Sequence, residues 1–347
     1  MNHSVFFNEL IEKFNISNDH PVVKYLYKKT LAVDRQSKAR RSLGNLYALQ
    51  VLAEDYVNGI SDGSQFSTLL TRMRQKPFGA KLQNHPLDNR LNDEFKRQIK
   101  LDGDLLPVQE GLSHNLKTRL ISKKLLSFDS SDPLEIASFI VNVVDAFSRE
   151  IISGENIFLE KIKFLNSKEE IIKFLEEIFQ VNSDARLFEI CSFCILKYYY
   201  QNQFIEWKQN EGETIKSYLN LYKTGRTNAN DGGIDFVLKP LGRFFQVTEN
   251  LDFKKFFLDF EKVNRVPITF VIKSEEESID LIKKIKKDAC NEFDKELVNI
   301  YMNLFEQVFT NLDLRQISNS LLGNHLIRDN FLKDLEKYFK VEYGHFD

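Results

Sequence analysis

Three short segments near the centre of the chain constrain its fold most strongly. IDFVLK, RFFQVT and ITFVI, between residues 234 and 272, are rich in β-branched and aromatic residues and predict strands. Pro240 and Gly242 separate the first two segments and predict a turn between them. The amphipathic segment DFKKFFLDFEKV separates the second from the third and predicts a helix. The pattern therefore predicts a sheet with helices around it.

Helical spacing dominates the chain on both sides of these strands. In the first 125 residues, four leucines recur at steps of three: Leu43, Leu46, Leu49 and Leu52. Residues 134–179 predict two amphipathic helices, and the second begins with Ser167 and Glu170 in capping-box spacing. A helix around ARLFEICSFCILKYYYQNQ and an alternating run SYLNLY precede the strands, and the tail from Glu275 is helical. The expected fold class is α+β, with a helical N-terminal domain, a central mixed sheet in αβββαβ order and a helical C-terminal tail.

The chain length and composition predict a globular protein of two or three domains. It has 347 residues, 42% of them hydrophobic, with 30 phenylalanines and 7 prolines. The polar segment Ser127–Pro133 predicts a boundary, and further divisions near residues 180 and 275, where the predicted elements change, give four parts: 1–130, 131–180, 181–275 and 276–347. No apolar run is long enough to span a bilayer, and the first residues lack the pattern of a secretory signal. The expected location is cytoplasmic, with no membrane partner.

The first third of the chain is basic although the net charge is −2. Residues 1–130 contain 20 lysines and arginines against 14 acidic residues. Seven of these cations cluster within 18 residues: Lys24, Lys28, Lys29, Arg35, Lys38, Arg40 and Arg41. Such a cluster attracts a phosphate backbone and marks these residues as candidate DNA ligands. An ordinary solvated helix face explains the same pattern.

A second candidate for DNA contact is the segment LQNHPLDNRLNDEF. It is rich in asparagine, arginine and glutamine, the side chains that hydrogen-bond to purine edges. Asn84 and Arg90 are the candidate base-reading residues. The alternative is a polar loop followed by a helix cap.

Residues 187–207 carry two features with competing explanations. Cys191 and Cys194 have the spacing of a redox or zinc pair, but the chain has no second pair and the surrounding run is apolar, which favours core positions. The aromatic residues Tyr198 to Tyr200 and Trp207 can stack on bases or cover the sheet, and the second role is the more common.

The predicted hairpin places polar side chains where chemistry is possible. Gly232 and Gly233 allow positive φ or close backbone approach, so that Asp235 stands at an open edge of the sheet. Gln246 and Thr248 share one face of the returning strand because side chains alternate. Carboxylate and amide oxygens suit Mg²⁺, which is usually held by one or two carboxylates together with substrate phosphate. A structural turn without metal is the alternative.

The residues DGGIDF and FFQVT, in this order of elements, resemble the PD-(D/E)xK nuclease superfamily, especially its Mrr-like branch and related type II restriction endonucleases. The resemblance covers roughly residues 183–273. Phe188 and Glu189 match a helix that carries a glutamate, Asp235 matches the metal-binding aspartate, and Gln246 matches the (D/E) position. The resemblance implies a restriction-endonuclease-like core and a Mg²⁺ cofactor held by Asp235, Gln246 and the Val247 carbonyl, with Glu189 binding a second metal ion or orienting water.

One position departs from the family pattern: Thr248 occupies the place of the family lysine and cannot supply an ammonium. Lys239 on the neighbouring strand, or Lys254 or Lys255 on the following helix, could replace it; alternatively, the mechanism could rely on the metal alone. The resemblance implies sequence-specific cleavage of double-stranded DNA, a homodimer on a palindromic site and a companion DNA methyltransferase. Two alternatives remain open: a DNA-binding protein on an inactive nuclease fold, and a helical interaction protein.

Overall fold

The computed structural model describes residues 3–31, 33, 36–208, 214–225 and 233–343, with residues 3–5 and 36–38 described by their backbone alone. The chain divides into two compact units, residues 1–158 and 159–347. The boundary predicted at Ser127–Pro133 marks the start of a long helix, and the division into units falls later, inside that helix. The finer division into four parts stays a prediction.

The N-terminal unit is mainly helical. Its helices are α1 (His3–Phe14), α2 (Pro21–Thr30), α3 (Gln36–Val57), α4 (Phe66–Gln75), α5 (Leu91–Ile99), α6 (Lys123–Leu126) and most of α7 (Pro133–Lys163). The periodic leucines of α3 are all buried in one hydrophobic core, as the spacing predicts. Phe139, Val143 and Phe147 of α7 belong to the same core. Packing of this apolar stripe is the main stabilising term of the unit.

The N-terminal unit also contains a small sheet, which the prediction of a helical domain did not include. Strands β1 (Ser64–Gln65), β2 (Val108–Ser113) and β3 (Leu116–Ile121) form an antiparallel sheet in the order β1-β3-β2. The two residues between β2 and β3, His114 and Asn115, have φ of 49° and 63°. Two-residue hairpin loops require this positive φ, which glycine usually supplies. The pair lacks glycine, and the hairpin was therefore missed.

The C-terminal unit contains seven helices among its described residues. After the end of α7 they are, in order, α8 (Lys168–Phe179), α9 (Ala185–Tyr200), α10 (Phe253–Lys262), α11 (Ser278–Cys290), α12 (Lys295–Met302), α13 (Asn311–Leu321) and α14 (His325–Tyr343). The predicted capping box at the start of α8 is confirmed: Ser167 Oγ accepts from Glu170 N–H, and the Glu170 carboxylate accepts from Ser167 N–H.

A mixed five-stranded sheet forms the centre of the C-terminal unit and confirms the α+β class. The strands of this unit are β4 (Phe204–Lys208), β5 (Thr214–Tyr218), β6 (Asn220–Lys223), β7 (Phe236–Lys239), β8 (Arg243–Thr248), β9 (Ile268–Ile272) and β10 (Phe305–Phe309). The sheet order is β10-β9-β8-β7-β6, with β9 parallel to both its neighbours and β7 antiparallel to both of its own. Strands β4 and β5 form a separate two-stranded sheet.

The elements α9, β6, β7, β8, α10 and β9 follow one another in the αβββαβ order that the sequence predicts, apart from the added β4 and β5. Strands β8 and β9 span the residues of RFFQVT and ITFVI. The tail is not wholly helical as expected, because β10 lies within it and extends the sheet beside β9. Five residues of weak alternation between helices give little sequence signal, which explains the omission.

The two faces of the sheet are covered by different helices. Phe193 of α9 packs against Phe236 of β7 with ring centroids 5.1 Å apart. On the other face, Phe256 of α10 packs against Phe270 of β9 at 4.9 Å. Gln246 of β8 is aligned with Phe270 in the parallel register. Because aligned residues share a face and side chains alternate along a strand, Gln246 and Thr248 belong to the face covered by α10.

Helix α9 is buried along most of its length. Cys191 and Cys194 are free thiols with no exposed surface, and burial raises the pKa of both. This confirms them as core residues. Tyr200 packs against Phe245, and Tyr198 donates a hydrogen bond to Asp334 at 2.6 Å, so both rings pack within the fold. Across the described ranges, none of the helices combines the length and apolarity needed to cross a bilayer.

Candidate functional site

Several of the polar residues that the sequence singles out lie at one end of the strands of the central sheet. Strands β6, β8 and β9 end there, β7 begins there, and α10 starts a few residues after β8. Antiparallel pairing of β7 with β6 and β8 brings the beginning of β7 to the ends of the other two. This end of the strands is the candidate site, and we call it the site edge.

Asp235 is fixed against β8 at the site edge. Its backbone N–H donates to the carbonyl of Phe245 at 2.8 Å, and its Oδ2 accepts from the N–H of Val247 at 2.7 Å. These two hydrogen bonds reach the residues on either side of Gln246. Asp235 and Gln246 are therefore neighbours at the site edge, as the hairpin pattern predicts.

Gly233 brings the chain into Asp235 with the positive φ that the sequence suggests, at +85°; Gly232 lies outside the described residues. A Cβ at position 233 would lie 3.4 Å from Oδ1 of Asp259 on α10. Asp259 is only 3% exposed and pairs with Lys262 at 2.7 Å, while its Oδ2 finds no hydrogen-bond partner in the described part of the chain. Sequence reasoning missed Asp259, although an acidic residue in the phenylalanine-rich α10 was a signal.

Gln246 is buried with an unsatisfied oxygen. The residue is 9% exposed, and its Nε2 donates to the adjacent Val247 carbonyl at 3.3 Å. Its Oε1 has no hydrogen-bond partner among the residues that the structure describes. A buried polar atom without a partner costs about 1–3 kcal/mol of desolvation. A ligand that binds Oε1 would remove this cost.

Thr248 accepts a hydrogen bond from a lysine of the following helix. The Nζ of Lys255 donates to Thr248 Oγ1 at 2.9 Å. Thr248 Oγ1 also accepts from the N–H of Asn250 at 3.1 Å, and Asp252 caps α10 by accepting from the N–H of Lys254. The loop between β8 and α10 is thus held by side-chain hydrogen bonds. Of the three lysines considered from the sequence, Lys255 is the one that reaches the Gln246–Thr248 face.

The structure places the other two candidate lysines elsewhere. Lys239 lies at the opposite end of β7 from Asp235, with its Nζ 5.2 Å from the ring centroid of Tyr222. Lys254, the residue before Lys255, is exposed. It pairs at 2.5 Å with Glu292, which follows the end of α11. A one-residue step on a helix rotates a side chain by roughly 100°, which separates the two lysines.

Glu189 forms an ion pair on the face of the sheet opposite to Gln246. Its carboxylate pairs with Lys223 of β6 at 2.7 Å, and the side chains are 6% and 11% exposed. Lys223 is aligned with Phe236, whose ring faces α9. Glu189 therefore lies on the α9 face and Gln246 on the α10 face, and the expected role of Glu189, to bind a second ion or orient water, stays a prediction. Lys223 was not identified from the sequence.

A further buried cation borders the site edge. Lys273 follows β9, its side chain is 3% exposed, and it donates to Glu249 at 2.7 Å and to Ser183 Oγ at 2.6 Å. Glu249 directly follows Thr248. These charges were also missed, because single lysines and glutamates after strands carry no spacing signal of their own.

The oxygen donors at the site edge fit a hard divalent cation. Asp235 supplies a carboxylate, Gln246 an amide oxygen without a partner among the described residues, and Val247 a carbonyl that lies 3.3 Å from Gln246 Nε2. Mg²⁺ binds such oxygens and keeps several waters. Over the described ranges, no group of three or more histidine, cysteine, aspartate or glutamate residues is arranged to hold a metal. The donor set is therefore a sparse one, with Asp235 as its carboxylate.

Two cations of the predicted basic DNA-contact cluster form ion pairs with buried carboxylates of the N-terminal unit. Lys29 pairs with Glu94 at 2.6 Å, and Arg40 pairs with fully buried Glu155 and lies 3.9 Å from the ring centroid of Phe78. These two cations neutralise buried carboxylates, so they are not free to contact phosphate.

The remaining members of the cluster differ in their surroundings. Lys24 is exposed and pairs with Asp19 at 2.8 Å, Lys28 donates to the carbonyl of Gln98 at 3.2 Å, and Arg41 is exposed. Arg35 and the side chain of Lys38 lie outside the described residues. Lys24, Lys28 and Arg41 remain the candidates for phosphate contact.

Asn84 and Arg90 are both exposed in the N-terminal unit. Arg90 ends a short helical turn, Pro86–Arg90, that leads directly into α5, while the turn's Pro86 and Leu87 are buried. The segment is thus partly a helix entry, as the alternative interpretation suggested, with polar side chains on its outer side.

Comparison with known proteins gives no match: no protein-family model, no curated protein and no solved structure is significantly similar to this chain.

Proposed function

We propose that the chain is a Mg²⁺-dependent endonuclease that hydrolyses phosphodiester bonds of double-stranded DNA. The observation that carries the proposal is the approach of Lys255 Nζ to Thr248 Oγ1, at 2.9 Å. It supplies an ammonium next to the one position where the sequence departs from the PD-(D/E)xK pattern. The neighbouring pair of Asp235 and Gln246 supplies oxygen ligands at the same edge.

Each residue of the site edge has a distinct role in the proposal. Asp235, Gln246 Oε1 and the carbonyl of Val247 hold the cation. When bound, Mg²⁺ polarises the scissile phosphate and activates water, so no covalent nucleophile is needed. Lys255 stabilises the negative charge that develops on the phosphate, because a preorganised ammonium in a partly buried site is worth more than one in water. Glu189, which pairs with Lys223, would bind a second ion or orient the attacking water from the α9 face.

The finer features of the proposal rest on the resemblance. A type II restriction endonuclease cuts a specific sequence, acts as a homodimer on a palindrome and accompanies a methyltransferase that protects the host DNA. Lys24, Lys28 and Arg41 would contact phosphate, and Asn84 and Arg90 would contact bases. A cytoplasmic location follows from this role.

The experiment that tests the proposal is a digest of unmethylated plasmid and phage DNA with purified protein, in Mg²⁺ and in EDTA. Discrete fragments that require Mg²⁺ and disappear with Asp235→Ala are the expected result. Sequencing of the fragment ends then gives the recognition site and the overhang. Intact DNA across several unmethylated substrates would refute the nuclease activity.

The second candidate is a DNA-binding protein on an inactive nuclease fold. It is favoured by the sparse donor set, since the described residues gather no three acidic or histidine ligands. This protein would bind DNA in a salt-sensitive way without cutting it. Gel-shift binding that persists in EDTA, together with intact DNA in Mg²⁺, would support it. A protein that shows no DNA affinity at moderate salt would instead be the helical interaction protein.

A further inference from the structure

The small sheet of the N-terminal unit is combined with helices in a specific order. Helix α3, strand β1, helix α4, a helical segment of residues 86–99 and the hairpin β2–β3 follow one another along the chain. Strand β3 lies between β1 and β2, and both pairings are antiparallel. This is the arrangement of a winged helix, a helix-turn-helix that carries a β-hairpin. In a helix-turn-helix, the second helix lies in the major groove of DNA. Residues 86–99, which we call the groove helix, hold that place here.

The inner face of the groove helix is fixed to the core of the unit. Leu87, Leu91 and Phe95 recur at steps of four, and none of them has exposed surface. Glu94 accepts a hydrogen bond from Tyr25 of α2 at 2.8 Å. The backbone stays helical where the turn Pro86–Arg90 meets α5, so the groove helix is continuous. Its opposite face is therefore directed to solvent.

Asn92 connects the groove helix to the hairpin. Its Nδ2 donates to the Val108 carbonyl at 2.8 Å, and its Oδ1 accepts from the Val108 N–H at 2.9 Å. Two hydrogen bonds from one side-chain amide fix β2 against the helix. The connection from α4 to the groove helix, residues 76–85, is longer than the usual turn, and Arg74 Nε donates to its Leu82 carbonyl at 3.1 Å. Helix and hairpin are thus held together, as contact with two neighbouring grooves requires.

The outward face of the groove helix carries side chains that match base edges. Asn89, Asp93 and Arg97 are exposed and lie at steps of four, on one side of the helix. Arginine binds guanine, asparagine binds adenine, and aspartate accepts from the amine of cytosine in the major groove. A surface for phosphate alone would carry cations only, so the mixture of donors and acceptors favours base contact. A helix about 10–12 Å wide also fits the roughly 12 Å major groove.

The tip of the β2–β3 hairpin is unusually apolar for an exposed loop. Leu112 is 71% exposed and Leu116 is 53% exposed, on either side of the turn at His114 and Asn115. Lys117 is exposed and aligned with Leu112 across the hairpin. Proteins that bind the minor groove use leucines and similar residues against the bases together with cations. The hairpin tip has both.

We propose that the N-terminal unit binds duplex DNA as a winged helix. The groove helix lies in the major groove with Asn89, Asp93 and Arg97 at base edges, and the tip of the β2–β3 hairpin lies in the neighbouring minor groove. The proposal rests on the proposed function only for its partner, DNA. It assigns specificity to the groove helix and does not depend on cleavage, because the candidate catalytic residues belong to the other unit.

Selection from a pool of duplexes with a randomised segment tests the proposal, with the full-length protein in EDTA. The wild-type protein should select one motif. Asn89→Ala and Arg97→Ala should each relax at least one position of the motif and weaken binding of the motif duplex about tenfold or more. Arg149→Ala removes the same charge from an exposed position of α7 and should leave motif and affinity unchanged. Circular dichroism verifies that the variants are folded.

Base analogues assign the two grooves. 7-Deazaguanine lacks the N7 acceptor of the major groove, and inosine lacks the guanine amine of the minor groove. At a guanine whose selection depends on Arg97, 7-deazaguanine should weaken wild-type binding and leave that of Arg97→Ala unchanged. Inosine beside the motif should change the affinity of the wild-type protein but not that of the double variant Leu112→Ala and Leu116→Ala. Leu134→Ala, at an exposed leucine of α7, should keep the inosine effect.

Two results would overturn the proposal: a folded wild-type protein that binds no duplex at low salt, or Asn89→Ala and Arg97→Ala proteins that select the wild-type motif. An affinity of the wild-type protein that inosine leaves unchanged at every flanking position would remove the hairpin from the minor groove. A motif that depends on Asn89 and Arg97, in a protein that does not cut DNA in Mg²⁺, would support the winged helix and reject the nuclease. Cleavage at a motif that both variants leave unchanged would do the reverse.

Discussion

Lys255 Nζ lies 2.9 Å from Thr248 Oγ1, although the lysine belongs to the first turn of α10 and the threonine to the end of β8. The hydroxyl therefore fixes an ammonium where the PD-(D/E)xK pattern has a strand lysine. Three further groups at the same edge, Asp235, Gln246 and the Val247 carbonyl, complete the proposed site.

Replacing Lys255 should remove cleavage and spare DNA binding. Lys255→Met keeps the length of the side chain and removes the charge that the proposal assigns to the transition state, so we expect a loss of about 100-fold or more in cleavage rate. Lys254→Met is the matched control, because Lys254 is exposed and pairs with Glu292. Single-turnover cleavage and gel shift measure both variants. Equal rates for the two would contradict the role of Lys255.

Gln246→Leu should be neutral or stabilising and should abolish cleavage. The wild-type protein buries an amide oxygen that lacks a partner within the described residues, and removal of such a group relieves a desolvation cost of about 1 kcal/mol. The same change removes a proposed cation ligand. Urea unfolding and the plasmid digest are the two measurements. A large destabilisation would show that Gln246 is a structural residue.

Lys223→Met should destabilise the protein by about 3 kcal/mol, since it removes the cation from a buried ion pair with Glu189. Adding Glu189→Gln to the same chain should restore part of the lost stability, because the negative charge of Glu189 that Lys223 balanced is then gone as well. A double-mutant cycle by urea unfolding measures the coupling. Additive effects would mean that the pair contributes nothing as a pair.

His20 should make stability pH-dependent in the weakly acidic range. Burial lowers the pKa of His20, against a smaller opposite effect of the Leu126 and Leu125 carbonyls. Its Nδ1 also accepts the N–H of Val22 at 3.2 Å and so caps α2. A depressed folded pKa means that the stabilisation is complete above the unfolded value of about 6.5 and is lost as pH falls below it.

Protonation of Nδ1 removes the cap that His20 provides to α2, and the loss of a helix cap costs about 1 kcal/mol. His20→Asn keeps a capping acceptor that does not titrate. The free energy of unfolding at pH 7.5 and at pH 5.5, measured for both proteins, provides the comparison. A wild-type protein that loses no more stability than His20→Asn over this range would disprove the assignment.

Arg40 and Arg41 should differ in what they stabilise. Arg40→Met removes the ion pair between Arg40 and buried Glu155 and should cost several kcal/mol of stability. Arg41→Ala, at an exposed position, should leave stability unchanged and lower the salt dependence of DNA binding by about one phosphate contact. Filter binding at several salt concentrations tests the second expectation. A salt slope that Arg41→Ala leaves unchanged would remove Arg41 from the DNA-contact surface.

Local pattern was enough to predict the elements around the site edge. The strands RFFQVT and ITFVI, the helix between them and the capping box at Ser167 could be predicted because each depends on neighbours in the chain. The positive φ of Gly233 and the proximity of Asp235 to Gln246 followed from hairpin geometry in the same way.

The remaining features depend on partners far away in the chain. Glu189 and Lys223 are 34 residues apart, and Arg40 meets Glu155 across more than a hundred residues, so their pairing has no local signature. The basic cluster therefore suggested a DNA-contact surface, whereas two of its cations neutralise buried acids. The choice of Lys255 over Lys254 likewise depends on the direction in which α10 leaves β8.

A charge carried by the start of a helix is positioned by that helix turn. A lysine on β8 would be held by the hydrogen bonds of the sheet on both sides, whereas Lys255 depends on the loop from Glu249 to Asp252 and on the cap that Asp252 provides. Unwinding of a single turn would withdraw the ammonium while Asp235 and Gln246 stayed in place. In such an enzyme, cation binding and bond cleavage could be uncoupled by a change that leaves the sheet untouched.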